Sequence, residues 1–340
     1  MKESSFEQTN NCLNLIRIIA ALQVVLGHMI EHLRLPGNEA VLHSTYFLRG
    51  VPIFFAISGF LIWFSIERTA TYGTYLKKRF WRIYPELWVA VIIEISVLVM
   101  LYRKWDIKSL VVFTIAQCTL FQFWTPASLR GFGVGTPNGA LWTIGVIIQF
   151  YIIAWFFYKI MKSRKIAAWI LGLVGAFVIS WIGSYIFYNV VKIDVMGKLF
   201  DQTILKYFWL FYIGMFIARF ANVIVPMLQR YWQVLLAVAF AFFWTGMDFY
   251  SGYYFAWSLL LVSALIGFAY KYPILSISPD ISYGLFLYHM IVVNIFVNYG
   301  IIGKWGYALL VVIISSILAY ISTVTVGKKS LLRKKMLIKP

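Results

Sequence analysis

Long apolar runs separated by short polar breaks set the rhythm of this chain, and a helix needs about 20 mostly apolar residues to cross the hydrocarbon core of a membrane. Ten runs meet that length: approximately Cys12 to Leu33, Tyr46 to Ile66, Tyr84 to Tyr102, Leu141 to Ile160, Ile166 to Tyr188, Ile204 to Ala221, Tyr231 to Met247, Tyr253 to Tyr270, Ile281 to Tyr299 and Trp305 to Val326. An eleventh, Ser109 to Trp124, is shorter and leads into a loop holding Pro126, Gly131, Gly133, Gly135, Pro137 and Gly139. The pattern predicts an all-α polytopic membrane protein with about ten transmembrane helices and one short re-entrant or interfacial segment. Irregular backbone at that depth is tolerated only where protein or a wet cavity satisfies it.

Composition sharpens this picture. Hydrophobic residues make up 62% of the 340 and charged residues 12%, against about 45–50% and 25% in soluble domains. A water-soluble globule is excluded. The 30 Lys and Arg exceed the 12 Asp and Glu, giving a formal charge of +18. In so apolar a chain that excess belongs to loops facing anionic lipid and not to a nucleic-acid partner. With both termini cytoplasmic and the eleventh stretch not crossing, nineteen Lys and Arg fall inside and nine outside, while Arg17 and Lys206 lie in or at the edge of spans. The inner set includes Lys2, the cluster Lys77, Lys78, Arg79 and Arg82, and the C-terminal group Lys328, Lys329, Arg333, Lys334, Lys335 and Lys339. That asymmetry favours the stated orientation.

The N-terminus lacks a basic n-region and a small-residue cleavage site, so the first apolar run is expected to stay. Residues 1–340 read as a single integral membrane domain with no appended soluble domain and no duplicated halves. Cys12 and Cys118 give neither a disulfide framework nor a metal signature, and no permanently bound cofactor or metal is expected. They read as packing residues.

A charge near the centre of a span costs about 2.5–3.5 kcal/mol on insertion scales, so the few polar residues there are functional candidates. Arg17 and His28 are eleven residues apart, which places them on one helix face about 16 Å apart along the axis. Glu31 and His32 follow His28 at i+3 and i+4, and Asn14 lies one turn before Arg17. Histidine takes and gives protons near neutrality, and Glu31 is positioned to fix its tautomer. The bland alternative is that Arg17 snorkels to headgroups while His28 satisfies a backbone carbonyl.

A second cluster is TYLKKRFWRIYPELW, residues 74–88. On a helix Arg79 and Arg82 point the same way, and paired guanidinium forks suit phosphate or pyrophosphate. An orientation signal for anionic lipid explains the same charges. Tyr84 and Pro85 are expected to open the following helix, since proline is harmless in a first turn. Glu86 and Glu94 share a face of that helix, and Glu94, if buried, needs a partner. Ser58 and Gly59 suit close helix packing. Trp142, Thr143 and Gln149 mark the outer start of a span, where an aromatic belt suffices for the Trp. His289, with Tyr283 and Tyr288, sits inside a late span as either a core or a functional histidine.

In order along the chain, NLIRIIAALQVVLGHM, GVPIFFAISGFLI, RFWRIYP, LWTIGVIIQFYII and SYGLFLYHM resemble the motifs of the bacterial acyltransferase-3 family of integral membrane O-acyltransferases. The resemblance covers nearly the whole chain. It implies ten spans in the bacterial cytoplasmic (inner) membrane and transfer of an acyl group, usually acetyl, from acetyl-CoA or another cytoplasmic acyl-CoA. The implied acceptor is a hydroxyl of an envelope or secreted carbohydrate. His28 carries over as the histidine of acyl transfer, and Arg17, Arg79 and Arg82 as basic residues of catalysis or donor binding. Where the family has Glu after Ser-Val, this chain has Ile147, and Glu31 and Glu94 are the available substitutes. Catalytic candidates are therefore His28, Arg17 and Glu31; donor-binding candidates are Arg79 and Arg82; acceptor or supporting candidates are Trp142, Tyr84, Glu94 and His289. The competing reading is a proton-coupled transporter or exporter using His28, Glu31 and Glu94 as a relay. The lack of a repeat weighs against it.

Overall fold

The computed structural model describes residues 7–245 and 252–330; Lys2, Arg333, Lys334, Lys335, Lys339 and the expected span end at Met247 lie outside them. The described residues form helices joined by loops, with no strand. In chain order the helices are α1 (Leu13–His32), α2 (Glu39–Ser44), α3 (Gly50–Glu67), α4 (Tyr72–Leu101), α5 (Ile107–Cys118), α6 (Trp142–Met161), α7 (Ile166–Tyr185), α8 (Asp194–Phe200), α9 (Ile204–Arg219), α10 (Ala221–Phe243), α11 (Gly252–Lys271), α12 (Ser282–Asn298) and α13 (Trp305–Ser322). Eight segments, those built on α1, α3, α4, α6, α7, α10, α11 and α13, are long and apolar enough to cross a membrane. Two further expected spans form shorter helices, α9 with 16 residues and α12 with 17, just below and at the lower end of the usual spanning length of about 17–25. The eleventh stretch forms α5, only 12 residues long.

One expectation is corrected. Pro85 does not open a helix but lies inside the 30-residue α4. A proline withholds one backbone N–H and crowds the preceding turn, and membrane helices tolerate this when neighbours supply replacement bonds. The carbonyl that Pro85 leaves without its helical N–H is that of Trp81; two residues further on, the Tyr283 hydroxyl donates to the carbonyl of Ile83 at 3.0 Å and ties α12 to this stretch of α4.

The chain divides into two compact units. The first comprises Met1–Arg17, Val51–Tyr72 and Gln149–Ser278. In it α3 crosses α9 at a pair of glycines: a Cβ on Gly59 would collide with the Phe211 carbonyl, and one on Gly214 with the Ala56 carbonyl. Small residues let helix backbones touch where lipid supplies no hydrophobic drive. Around this crossing Trp63, Trp169 and Tyr212 pack edge to face, with ring centroids 5.2–5.3 Å apart, and the Tyr212 hydroxyl donates to the Trp169 carbonyl at 3.0 Å. Gln149 caps α9, accepting from Ile204 N at 3.0 Å and donating to Gln202 O at 2.8 Å.

The second unit comprises Ile18–Gly50, Gly73–Ile148 and Pro279–Pro340. Its core joins Leu98 of α4 and Phe113 of α5 to Leu129 and Phe132 of the following loop. The last turn of α4 is tied to that loop by Tyr102, whose hydroxyl donates to Ser128 O at 3.0 Å. On the other side of α4, Glu86 accepts from Ser322 Oγ of α13 at 3.3 Å.

Candidate functional site

The polar groups of the second unit converge on α12. His28 leaves α1 half-buried, and its Nδ1 lies 2.8 Å from Nε2 of His289, which is fully buried. The ring planes differ by only 7° at a centroid separation of 5.1 Å. That separation exceeds the N···N distance by about two ring radii, so the imidazoles meet edge to edge in one plane. A neutral imidazole has one donor and one acceptor nitrogen. His289 Nδ1 lies 2.9 Å from the Leu285 carbonyl, which only accepts. His289 therefore donates from Nδ1 and accepts at Nε2, and His28 donates from its own Nδ1. This leaves the lone pair of His28 Nε2 uncommitted among the described residues. His32 flanks the pair, its ring 5.7 Å from that of His28.

Glu31, expected to orient His28, is exposed, and the partner that meets the imidazole is His289. Arg17 lies three turns earlier on α1, half-buried and in the first unit.

At the start of α12, Asp280 Oδ1 accepts from Ser282 N at 3.0 Å and Ser282 Oγ at 2.6 Å. Such side-chain caps satisfy orphan N–H groups at a helix start. The same carboxylate pairs with Arg82 at 3.5 Å. The guanidinium also lies 5.9 Å from the Tyr283 ring. Arg79, one turn back on α4, sits 5.8 Å from the Tyr75 ring. Arg79 thus meets a ring of its own helix, while Arg82 meets Asp280 and Tyr283 at the start of α12.

Beyond His289, the fully buried Asn294 holds the Gly-rich loop. Its Oδ1 accepts from Val134 N at 2.8 Å, and its Nδ2 donates to the carbonyls of Pro137 and Met290 at 2.9 Å and Thr136 at 3.1 Å. Asn138 adds a bond to the Leu287 carbonyl at 2.9 Å. Gly133 has φ +55°, and a Cβ there would collide with Asn294, so both conformation and space require glycine.

The remaining candidates lie around this axis. Trp142 is the half-buried first residue of α6. Tyr84 stacks on Phe80 at 4.8 Å, and its hydroxyl lies 3.5 Å from the Thr119 carbonyl. Glu94 is buried with both carboxyl oxygens lacking a hydrogen-bond partner among the described residues. It lies one turn before Leu98, on the face that meets α5, within electrostatic reach of Cys118. Ile147 is half-buried in α6.

Asp280, Asn138 and Asn294 were not singled out from the sequence. Asp280 carries a signal, an Asp just before an apolar run, and Asn294 is a polar residue inside a span.

Multiple helices long and apolar enough to cross a membrane describe a multi-pass membrane protein, and its second unit brings a half-buried and a buried histidine together. The chain belongs to the acyltransferase-3 family, whose model, described as an acyltransferase domain, matches residues 10–325. It is therefore an acyl-transferring membrane protein, and the transporter reading falls away. The chain is 28% identical to nodulation protein 10 of Rhizobium leguminosarum bv. viciae over 328 residues, covering 89% of this chain and 88% of that protein. It is 25% identical to an O-acetyl transferase of Shigella phage Sf6 over 349 residues, covering 95% and 97%. No solved structure matches the chain.

Proposed function

We propose that this protein moves an acyl group, most simply acetyl, from cytoplasmic acyl-CoA to a hydroxyl of an envelope or secreted carbohydrate, in the bacterial inner membrane. The observation that carries the reading is the layout along α12. Asp280 with Arg82 just ahead of α12, then His289 with His28 and Asn294 with the Gly-rich loop along it, follow one another in order. At 1.5 Å per residue the start of α12 beside Asp280 is about 10 Å from His289, and His289 about 8 Å from Asn294. An extended pantetheine arm covers the first interval, so phosphates at the arginines place a thioester near His28.

Arg79 and Arg82 supply the charge for the donor's phosphates; Arg82 has five N–H donors and gives only part of them to Asp280. His28 serves as the base for the acceptor hydroxyl. Arg17 stabilises charge on the donor side. Trp142 and the loop at 131–139 form the acceptor side, where an aromatic face suits a sugar ring. The O-acetyl transferase of the phage supports acetyl as the group and oxygen as the acceptor atom.

The test is acylation of envelope glycans, read by mass spectrometry with expression matched. His28→Ala should lower transfer by about 10²- to 10⁴-fold, the usual contribution of a positioned base. The double change Arg79→Gln and Arg82→Gln should raise KM for acetyl-CoA with the fold intact. Wild-type transfer by His28→Ala would remove the histidine from the chemistry, and an unchanged KM would return the arginines to orienting the chain.

A further inference from the structure

We infer that acyl transfer here is direct, within one complex of donor and acceptor, and that His289 is the positioning residue that excludes an acyl-histidine intermediate. This rests on the reading of the site as an acyl-CoA-dependent O-acyltransferase.

The starting point is the chain of hydrogen bonds His28 Nδ1–H to His289 Nε2 and His289 Nδ1–H to the Leu285 carbonyl. The carbonyl end cannot donate, so the order of donors is fixed along the chain. His28 Nε2 then has two possible uses. As a base it takes the acceptor's proton while the hydroxyl oxygen attacks the thioester carbonyl. The C–S bond breaks as the C–O bond forms, and the imidazolium returns its proton to the leaving thiolate, giving ester and free CoA. At each stage His28 Nδ1–H still donates to His289, and the positive charge is short-lived and faces the developing oxyanion.

As a nucleophile, Nε2 would instead bond to the acyl carbon and release thiolate. A neutral acyl-imidazole has no N–H, so its Nδ1 would confront the lone pair of His289 Nε2. Moving the proton across to His289 would leave that ring a cation at a site with no exposed surface. Keeping it on His28 leaves an acyl-imidazolium for the whole life of the intermediate. Either way a charge stays where desolvation is expensive. The histidine pair therefore suits a proton that comes and goes, not an acyl group that waits.

The decisive measurement is isotope exchange on the full chain in lipid nanodiscs, with acetyl-CoA and isotopically labelled free CoA but no acceptor. A waiting acyl-histidine would scramble label into acetyl-CoA; direct transfer predicts no label over a period in which added envelope glycan is acetylated many times. Exchange as fast as transfer overturns the inference. His289→Gln keeps an acceptor for His28 Nδ1 and should retain most activity, while His289→Leu, equally folded, should lose about 10²- to 10⁴-fold. Equal activity of the two would overturn the positioning role. Failure of the wild type to acetylate any glycan from acetyl-CoA would instead overturn the reading of the site, and the inference with it.

Discussion

Asn294 gives both sides of its amide to backbone groups, and that makes it the most exposed to mutation of the residues around the site. Asn294→Leu strands the Val134 N–H and the carbonyls it served, and each buried orphan costs about 1–3 kcal/mol. Thermal melts should show a clear loss of stability, and transfer should fall further than the melt alone accounts for, because the loop at 133–138 loses its mooring. Gly133→Ala should do the same by a different route, through a left-handed backbone and a collision with the amide. At this scale the sequence was readable where charge makes a residue costly in a membrane. Arg17, His28 and Glu94 stand out on that ground, and Arg79 and Arg82 by their spacing in a basic run. Asn294 and Asn138 are neutral, so the same reasoning weighs them lightly. The partner of His28 was hidden for another reason: His289 is 261 positions away, and only the packing of α12 against α1 brings the rings together. Glu31, the local choice, was favoured by helical spacing alone.

Among the elements, α5 shows how a short helix starts without a long apolar face. Asp106 caps it, accepting from Ser109 N at 2.8 Å. That bond holds the carboxyl at about 2, below its ordinary 3.8. The depressed value means the cap is at full strength above about pH 3.8 and is lost as pH falls through about 2. Asp106→Ala should speed hydrogen exchange in the first turn of α5 at neutral pH, while Asp106→Asn should keep the protection and lose its acid sensitivity. The α3–α9 crossing makes a harsher demand. Gly214→Val drives a branched side chain into the Ala56 carbonyl, and size-exclusion profiles should show little folded protein. Element positions followed from apolar run length. Element boundaries at prolines did not, since Pro85 suits a first turn by local rules and yet lies inside the 30-residue α4. The shortness of α9 and α12 is likewise invisible to a count of apolar residues, which continues past the last helical turn.

For the molecule as a whole, the charge asymmetry predicts that the loop at Lys104 faces outward and the loop at Arg164 inward. Single cysteines at these positions, with Cys12 and Cys118 replaced by Ala, should react with an impermeant maleimide in intact cells only at position 104. Labelling at 164 instead would invert the orientation. The placement of the acceptor side depends on this result, because the loop at 131–139 follows α5 on the Lys104 side. That loop has a further property. Val134, Thr136 and Pro137 hydrogen-bond to Asn294 through main-chain atoms, and those atoms are the same whatever side chain hangs from them. The half-exposed side chains of Val134 and Thr136 are thus free to be rewritten without unfastening the segment. An acyltransferase that meets its acceptor at this loop, as proposed above, can be retargeted, in the laboratory or by descent, through a few loop codons while its chemistry stays put.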